Sequence, residues 1–402
     1  MNEICKKEIC TGCQACRLVC PVSAISMQPD AKGFLHPEID QNLCINCEKC
    51  QKVCPSLKEV QPINENTQRV YAAWSKDSHR RDFSTSGGVF AELATYVLEQ
   101  KGVVFGVIWK KYGAKHISIE NASSLYKIQG SKYTQSDVGD SYKEAKNFLS
   151  QKRMVLFSGT PCQIAALKSY LSKEYTNLFT VDIVCHGVPS KTILLNRIHD
   201  IEIEKQDTIE NVRFRDKKKS QFNTYMKYDF KKSKDSLKVS VYKDPYYRGF
   251  VMNYFLRESC YSCSYANTDR VGDITLADFW CYSPKKIKYL SYRKGTSLVI
   301  SNNHKGETLF SRIKKRLVVD ESTLSAAKYG NRNLSSPQIK PALFSEFWKE
   351  YTKNPSLDFL SRKFFPTLKY KPLPILYKIK FVLTLLLPKK LIEYLRKIKN
   401  SL

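Results

Sequence analysis

The chain has 402 residues, 42% of them apolar, enough for roughly two or three domains with real cores and too much for an intrinsically disordered protein. A formal net charge of +28 raises nucleic acid or an anionic membrane as partners, but eleven Lys and Arg against one acid, Glu393, lie between residues 361 and 402, so the excess is partly a property of the tail. Met1 to Lys7 runs into cysteines with no apolar stretch, which argues against a secretory signal and for a cytoplasmic protein whose fourteen cysteines stay reduced.

The first element is a doubled motif, Cys10-x2-Cys13-x2-Cys16-x3-Cys20-Pro21 and Cys44-x2-Cys47-x2-Cys50-x3-Cys54-Pro55. Three thiolates at two-residue gaps wrap three corners of a 4Fe-4S cube, and in two-cluster bacterial ferredoxins the fourth, before proline, crosses to the other cube. The spacing therefore assigns Cys10, Cys13, Cys16 and Cys54 to one cluster, and Cys44, Cys47, Cys50 and Cys20 to the other. Structural zinc sites also use Cys-x2-Cys, but not this doubled pattern. Residues 1–56 read as a dicluster 4Fe-4S ferredoxin domain, and the polar residues 57–68 as a linker.

Residues 69–205 read as an α/β core. A strand at 70–74, a helix opened by Ser84-Thr85-Ser86-Gly87-Gly88 and a strand at 103–109 make a first βαβ unit. Next come a strand at 154–157, the loop Ser158-Gly159-Thr160-Pro161-Cys162 and a helix, then a strand at 179–184 ending in Cys185-His186-Gly187-Val188-Pro189-Ser190. Ligands collect at the carboxyl ends of such strands, so Cys162 and Cys185 should lie near each other. Residues 206–340 form a β-rich part, with Lys-rich alternating runs that predict exposed antiparallel hairpins, then Cys260-x2-Cys263 and a strand at 273–279. Residues 341–402 read as a basic helical tail. Its apolar strip at 381–387, flanked by Lys378, Lys380, Lys389 and Lys390, is too short to span a bilayer; it suits either peripheral attachment to the anionic inner face of a membrane or packing on protein. The fold class is α+β.

Removing the eight ferredoxin cysteines leaves Cys5, Cys162, Cys185, Cys260, Cys263 and Cys281. Cys162, Cys185, Cys260 and Cys263 fit a third cluster, a zinc site, unreactive buried thiols, or a Cys162 nucleophile activated by its helix N-terminus. Gly87-Gly88 and Gly159-Thr160 open helices and offer backbone N–H groups to a phosphate, although glycine at a tight turn is the more common explanation. His186 is a weak acid-base candidate beside the ordinary reading of a hydrogen-bonded loop histidine.

Six ordered segments carry a resemblance: STSGG (84–88), GSKYTQS (130–136), SGTPCQ (158–163), CHGVPS (185–190), Cys260-x2-Cys263 and GDITLADFW (272–280). With these the chain resembles the beta-subunit family of the coenzyme F-420 hydrogenases and dehydrogenases, and most of all its bacterial members encoded among surface-polysaccharide genes. The resemblance implies FAD in the central domain, lined by Ser86, Gly87, Gly88, Ser131, Lys132, Tyr133, Gly159, Thr160 and Gln163, beside a third 4Fe-4S cluster on Cys162, Cys185, Cys260 and Cys263. It departs at Cys281, where relatives carry glycine and where a thiol would crowd a ligand or replace one. The function expected is an oxidoreductase taking electrons from a ferredoxin-like donor through the clusters to FAD and on to a small organic substrate. Two alternatives stand beside it: an electron-transfer subunit without its own substrate, and a nucleic-acid-binding protein braced by clusters, the latter ranked last because Lys-rich hairpin faces are usually just solvated.

Overall fold

In a computed structural model of the chain, which describes residues 3–58, 67–110, 112–217, 220–282, 284 and 287–367, each half of the cysteine repeat is a loop followed by a short helix. The helices, Ala15–Val19 and Lys49–Val53, both start after a left-handed residue, Gln14 or Glu48, and both stop at the cysteine before proline. Proline clashes with a helical predecessor, so Cys20 and Cys54 turn extended, with ψ 115 and 116. That turn carries each away from its own loop. Between the halves, β1 (Ile25–Pro29) and β2 (Leu35–Ile39) pair as an antiparallel hairpin. Its turn is held by Asp30, whose carboxylate accepts from the Lys32 and Phe34 amides.

The ferredoxin module shares its core with the α/β part of the chain. Ile4, Ala15, Cys16, Ile25 and Val53 pack in one buried cluster with Tyr142, Ile164, Leu167 and Leu171. Polar clasps rim this seam: Arg17 Nη2 donates to the Gly139 carbonyl at 2.6 Å, Gln14 Nε2 to Asp137 at 3.0 Å, and Ser190 Oγ to the Lys32 carbonyl at 2.5 Å.

Twelve further strands are β3 (Arg69–Ser75), β4 (Val103–Lys110), β5 (Gly113–Ile119), β6 (Ser136–Asp137), β7 (Val155–Gly159), β8 (Leu178–Ile183), β9 (Ile209–Lys217), β10 (Thr224–Phe230), β11 (Ser236–Ser240), β12 (Ile274–Asp278), β13 (Ser297–Ser301) and β14 (Leu317–Ser322). Among the described residues they form a nine-stranded mixed sheet, β14-β3-β13-β12-β8-β7-β4-β5-β6, and a three-stranded antiparallel sheet, β11-β10-β9. The large sheet is covered on both faces, so central strands such as β7 and β13 are apolar along much of their length and alternate between two cores. Val155 and Phe157 face the core shared with the module; Leu156 faces the other, with Val89 and Phe310.

Strands β7 and β8 are parallel neighbours joined through helix Pro161–Leu171, as the sequence predicts. The first βαβ unit differs. β3 and β4 run the same way, but four strands lie between them, because β12 pairs parallel to β8 (Ile274 opposite Val181) and β13 inserts antiparallel between β12 and β3. Three strands of the segment read as β-rich, β12, β13 and β14, therefore complete the sheet begun in 69–205. The hairpins are also less exposed than predicted, since Met226, Tyr228 and Phe230 bury one face of β10. Nor does the tail begin at 341. Helices Phe344–Lys353 and Leu357–Phe364 help build a further core with Phe347, Leu360 and Phe364, next to Tyr254 and Phe255. The apolar strip at 381–387 lies outside the described residues. No described helix is long and apolar enough to cross a membrane.

The edge of the sheet is fastened by one buried ion pair. Asp182 at the end of β8 meets Arg270 at 3.0 Å, with both side chains buried. The Asp182 carboxylate also accepts from Thr275 Oγ1 at 2.6 Å and from the Val271 and Gly272 amides. Arg270 donates to the Ile183 and Tyr265 carbonyls, which ties the chain after Cys263 to the strand before Cys185. Removing one partner leaves a buried charge uncompensated. Asp182→Ala should lose about 3–5 kcal/mol of unfolding free energy in urea, and the double change with Arg270→Met should lose less than the two single changes summed.

Candidate metal centres

Eight of the cysteines surround two recesses in the order the spacing predicts. One, of about 310 Å³, is lined by Cys10, Cys13, Cys16 and Cys54; the other, of about 350 Å³, by Cys44, Cys47, Cys50 and Cys20. The pre-proline turns thus bring each fourth thiol to the opposite loop. Four soft thiols around a cavity are the donor set of a cube, and among the described residues no three His, Cys, Asp or Glu converge tightly enough for a single ion.

The two recesses differ in shelter. Cys10, Cys13, Cys16 and Cys54 are all buried, whereas Cys20, Cys44 and Cys47 are only partly so, beside Leu43 and Ile45 that are 52% and 60% exposed. One site is a rim and the other an interior. Burial pushes the Cys13 thiol up to about 12, so iron binding here must displace protons. Cys10 is pulled the other way by a hydrogen bond from Cys5, against burial, with help from His36 and Arg257.

Cys5 is a thiol the spacing left spare. It sits in the inner recess against Cys10 and Cys54, and its own ionisation is pushed far up by those two contacts and by burial. Nothing in the motif marks it, because it precedes the repeat by five residues.

The remaining four cysteines come together on the carboxyl edge of the sheet. Three of them act on the fourth: Cys185 is pushed well up by burial, then by Cys260, Cys162 and Cys263. Cys260 is pushed up to about 12 by burial and further by Cys263 and Cys162, while the Val188 amide, donating to its sulfur at 3.3 Å, opposes. Positive-φ Gly187 lets the two segments meet: a Cβ there would stand 2.8 Å from the Leu256 side chain and 3.4 Å from Cys260 Cβ. The helix N-terminus does not win at Cys162. Burial pushes that thiol up to about 11 and Cys263 adds to it, while the Thr160 hydroxyl at 3.1 Å and Arg257 oppose. Cys162 also raises the Cys13 thiol of the inner recess, and Arg257 links the two groups, its side chain on Cys10 and its carbonyl accepting from the Cys260 amide. Cys281 stays apart from this role; it is exposed, with φ +62, a conformation that glycine adopts without strain.

The three loops expected around a flavin are joined to one another. Thr85 Oγ1 accepts from the Ser131 amide at 2.8 Å, and Gln163 Nε2 donates to Ser136 Oγ at 2.9 Å. Several of the named residues do structural work there. Thr160 and Gln163 form the capping box of helix Pro161–Leu171. Ser86 Oγ donates to the Thr296 carbonyl, and Gly87 lies so near the Ala73 and Ser297 backbones that no Cβ fits. Gly88 caps helix Val89–Glu99 at φ +88, while Gly159 ends β7 beside Gln163 and His116. Tyr133 stacks on Phe250 at 4.9 Å. Lys132 Nζ folds back on the Gln129 and Gly130 carbonyls, and burial, with Arg213 adding, pushes its ammonium down to about 7. Lys217 is likewise lowered to about 8, by burial and then Arg81.

His186 is engaged at both ring nitrogens. Nε2 donates to the Phe250 carbonyl at 3.2 Å and Nδ1 accepts from Gln338 at 3.0 Å, so the ring is a strut with no free acid-base nitrogen. His116, which the sequence pattern does not single out, is buried against Phe157, its Nε2 on the Ser158 carbonyl at 3.2 Å. Burial pushes it down to about 4 against that hydrogen bond. The unfolded chain protonates first, so the stability His116 lends is complete above about 6.5 and is lost as pH falls toward 4. Urea midpoints measured from pH 7 to 4.5 should fall less steeply in His116→Phe than in the parent.

Four profiles of known protein families match stretches of the chain. Residues 9–57 and 36–82 match profiles for 4Fe-4S dicluster domains. Residues 70–142 match the profile "Coenzyme F420 hydrogenase/dehydrogenase, beta subunit N-term", and residues 152–327 its C-terminal counterpart. No curated protein matches the sequence. A solved chain of the F420-reducing [NiFe] hydrogenase complex from Methanosarcina barkeri, studied by xenon derivatization, aligns at 14% identity and a TM-score of 0.45, covering 73% of this chain and 94% of that one. The profiles, in chain order and together spanning most of the sequence, show that this protein belongs to the coenzyme F420 hydrogenase/dehydrogenase beta-subunit family and carries an N-terminal 4Fe-4S dicluster domain.

Proposed function

We propose that the chain is an iron-sulfur flavoprotein oxidoreductase. Electrons from a ferredoxin-like or other redox partner enter at the rim site, pass to the inner one, then to a third 4Fe-4S cluster on Cys162, Cys185, Cys260 and Cys263, and reach FAD held by the loops at 84–88, 130–136 and 158–163. The single observation that carries this reading is the meeting of those four thiols, drawn from three separated chain segments, beside the buried ferredoxin thiols. A set of isolated buried thiols gives no reason for such convergence.

The joined loops suit an anionic dinucleotide. Arg81, Lys132, Arg213 and Lys217 gather near the joined loops, and the low ionisation of Lys132 and Lys217 reflects burial with like charges that a phosphate would relieve. FAD, when bound, supplies the change from one-electron to two-electron chemistry. The chain's own part is to hold it: loops 84–88, 130–136 and 158–163 fix one another, and Tyr133 is held by its stack on Phe250. An organic substrate in surface-polysaccharide synthesis is the class that the resemblance favours.

A second reading, a subunit that only relays electrons within a larger complex, is favoured by the exposed Leu43 and Ile45 beside the rim site, an apolar surface suited to a protein partner. Turnover of a small molecule by the isolated chain separates the two. Nucleic acid has less support than the sequence alone offered, because hairpin cations pair with their own acids: Lys227 with Asp229, Arg213 and Lys238 with Asp216, Lys234 with Glu210.

Three cubes need about twelve irons per chain and two need about eight. Anaerobically reconstituted protein should bind about twelve, falling by about four in the Cys260→Ser/Cys263→Ser variant while ferredoxin-type paramagnetic signals persist; a value near eight in both rejects the third cluster. Lys132→Glu should weaken FAD binding at least tenfold, measured by fluorescence quenching, with iron content unchanged. Equal FAD affinity in parent and variant rejects this placement.

A further inference from the structure

Arg257 is 1% exposed and reaches across the seam between the two halves of the molecule. Its Nε donates to the Cys10 carbonyl at 2.7 Å, and its Nη2 to the Leu35 carbonyl at 2.7 Å, with Cys10 Sγ at 3.7 Å and His36 Nε2 at 3.5 Å. Its Nη1 donates to Gln135 at 3.0 Å. Its backbone belongs to the other site: the Arg257 amide donates to the Val188 carbonyl, and its carbonyl accepts from the Cys260 amide. Room for the guanidinium is made by Gly12, at φ +65, where a Cβ would stand 2.8 Å from Nη1.

The charge has no ordinary counterion. Among the described residues no carboxylate lies within ion-pair distance of Arg257, whereas buried Arg215 and Arg270 each face an aspartate, Asp278 and Asp182. Burying a guanidinium among neutral acceptors is strongly unfavourable unless an anion offsets it. The anion within its reach is sulfur: its Nη2 lies 3.7 Å from Cys10 Sγ, and its own backbone holds the Cys260 amide of the strand-edge group at 2.9 Å. A cube held by four thiolates carries net negative charge and becomes more negative when it accepts an electron. A fixed cation beside it therefore favours the reduced form, as hydrogen bonds to the sulfurs do.

We propose that Arg257 is the shared counterion of the inner ferredoxin cluster and of the third cluster, and that it sets the potential of the inner cluster above that of the rim cluster, so that electrons run inward. The proposal rests on the cluster assignment above. It adds that a single side chain, three residues before the Cys260-x2-Cys263 pair, couples the two centres. Each transfer moves one electron: the rim cluster is oxidised by one as the inner is reduced by one, and a ferredoxin-class donor restores the first.

The test is a redox titration, followed by paramagnetic resonance, of the anaerobically reconstituted full chain with Arg257→Met, Arg257→Lys and, as a surface control, Lys52→Met. Arg257→Met should keep its ferredoxin-type clusters but shift one midpoint downward, so that the ratio of reduced to oxidised cluster at the parent's midpoint falls about tenfold, about 59 mV for one electron. Arg257→Lys should shift less than half as far, and Lys52→Met not measurably. If Arg257→Met loses iron while Arg257→Lys keeps both its iron and the parent's potentials, the counterion role stands. Parent midpoints in iron-replete Arg257→Met overturn it, as does an equal shift or equal iron loss in Met and Lys variants. An iron content near eight in the parent rejects the third cluster alone, since the midpoint of the inner ferredoxin cluster is still read.

Discussion

Ala15 and Cys16 of the ferredoxin module and Ile164, Leu167 and Leu171 of helix Pro161–Leu171 are buried in one apolar cluster, and that contact sets where every redox-active thiol stands. Electron transfer weakens steeply with separation, so a module on a loose tether would relay poorly. Here the same helix that packs on the module presents Cys162 in its first turn. Apolar packing and thiol placement are thus one constraint. The side chain of Arg257 crosses the seam beside it, and the Asp182–Arg270 pair fastens the strand edge from which Cys185 and Cys263 depart.

The two ferredoxin sites differ in shelter. The rim thiols lie next to exposed Leu43 and Ile45, the inner ones are closed off, and the third group, half-buried, lies at the carboxyl ends of β7 and β8. The step from rim to inner site is toward a drier place and a fixed cation, Arg257. Both changes alter the balance between oxidised and reduced forms, in opposite directions: low dielectric penalises the more charged form, and a nearby guanidinium stabilises it. Arg257 is placed where that second effect can win.

The sequence was most legible where the chemistry is local. The repeat gives its ligands by spacing alone, and even the exchange of Cys20 and Cys54 follows from a local rule, that a residue before proline leaves the helix. Cys162 and Cys185 were placed together because β7 and β8 are consecutive and adjacent. Legibility ended where pairing is non-local. Nothing in residues 70–74 says that β13 and β14 will flank β3, or that β12 will lie between β13 and β8 and leave four strands between β3 and β4. Cys5 and Arg257 escaped for the same reason, since their roles depend on partners far along the chain. Thr160 and Gln163 illustrate the converse: a motif residue taken for a ligand contact serves first as a helix cap.

The account stands on three thiol groups holding three clusters in contact range. Crystals of the anaerobically reconstituted chain, measured on both sides of the iron absorption edge, test this most directly. The account predicts three separate anomalous peaks, one each among Cys20, Cys44, Cys47 and Cys50, among Cys10, Cys13, Cys16 and Cys54, and among Cys162, Cys185, Cys260 and Cys263, with the Arg257 guanidinium between the last two. Two peaks, with the strand-edge thiols free or around a single ion that is not iron, would contradict it.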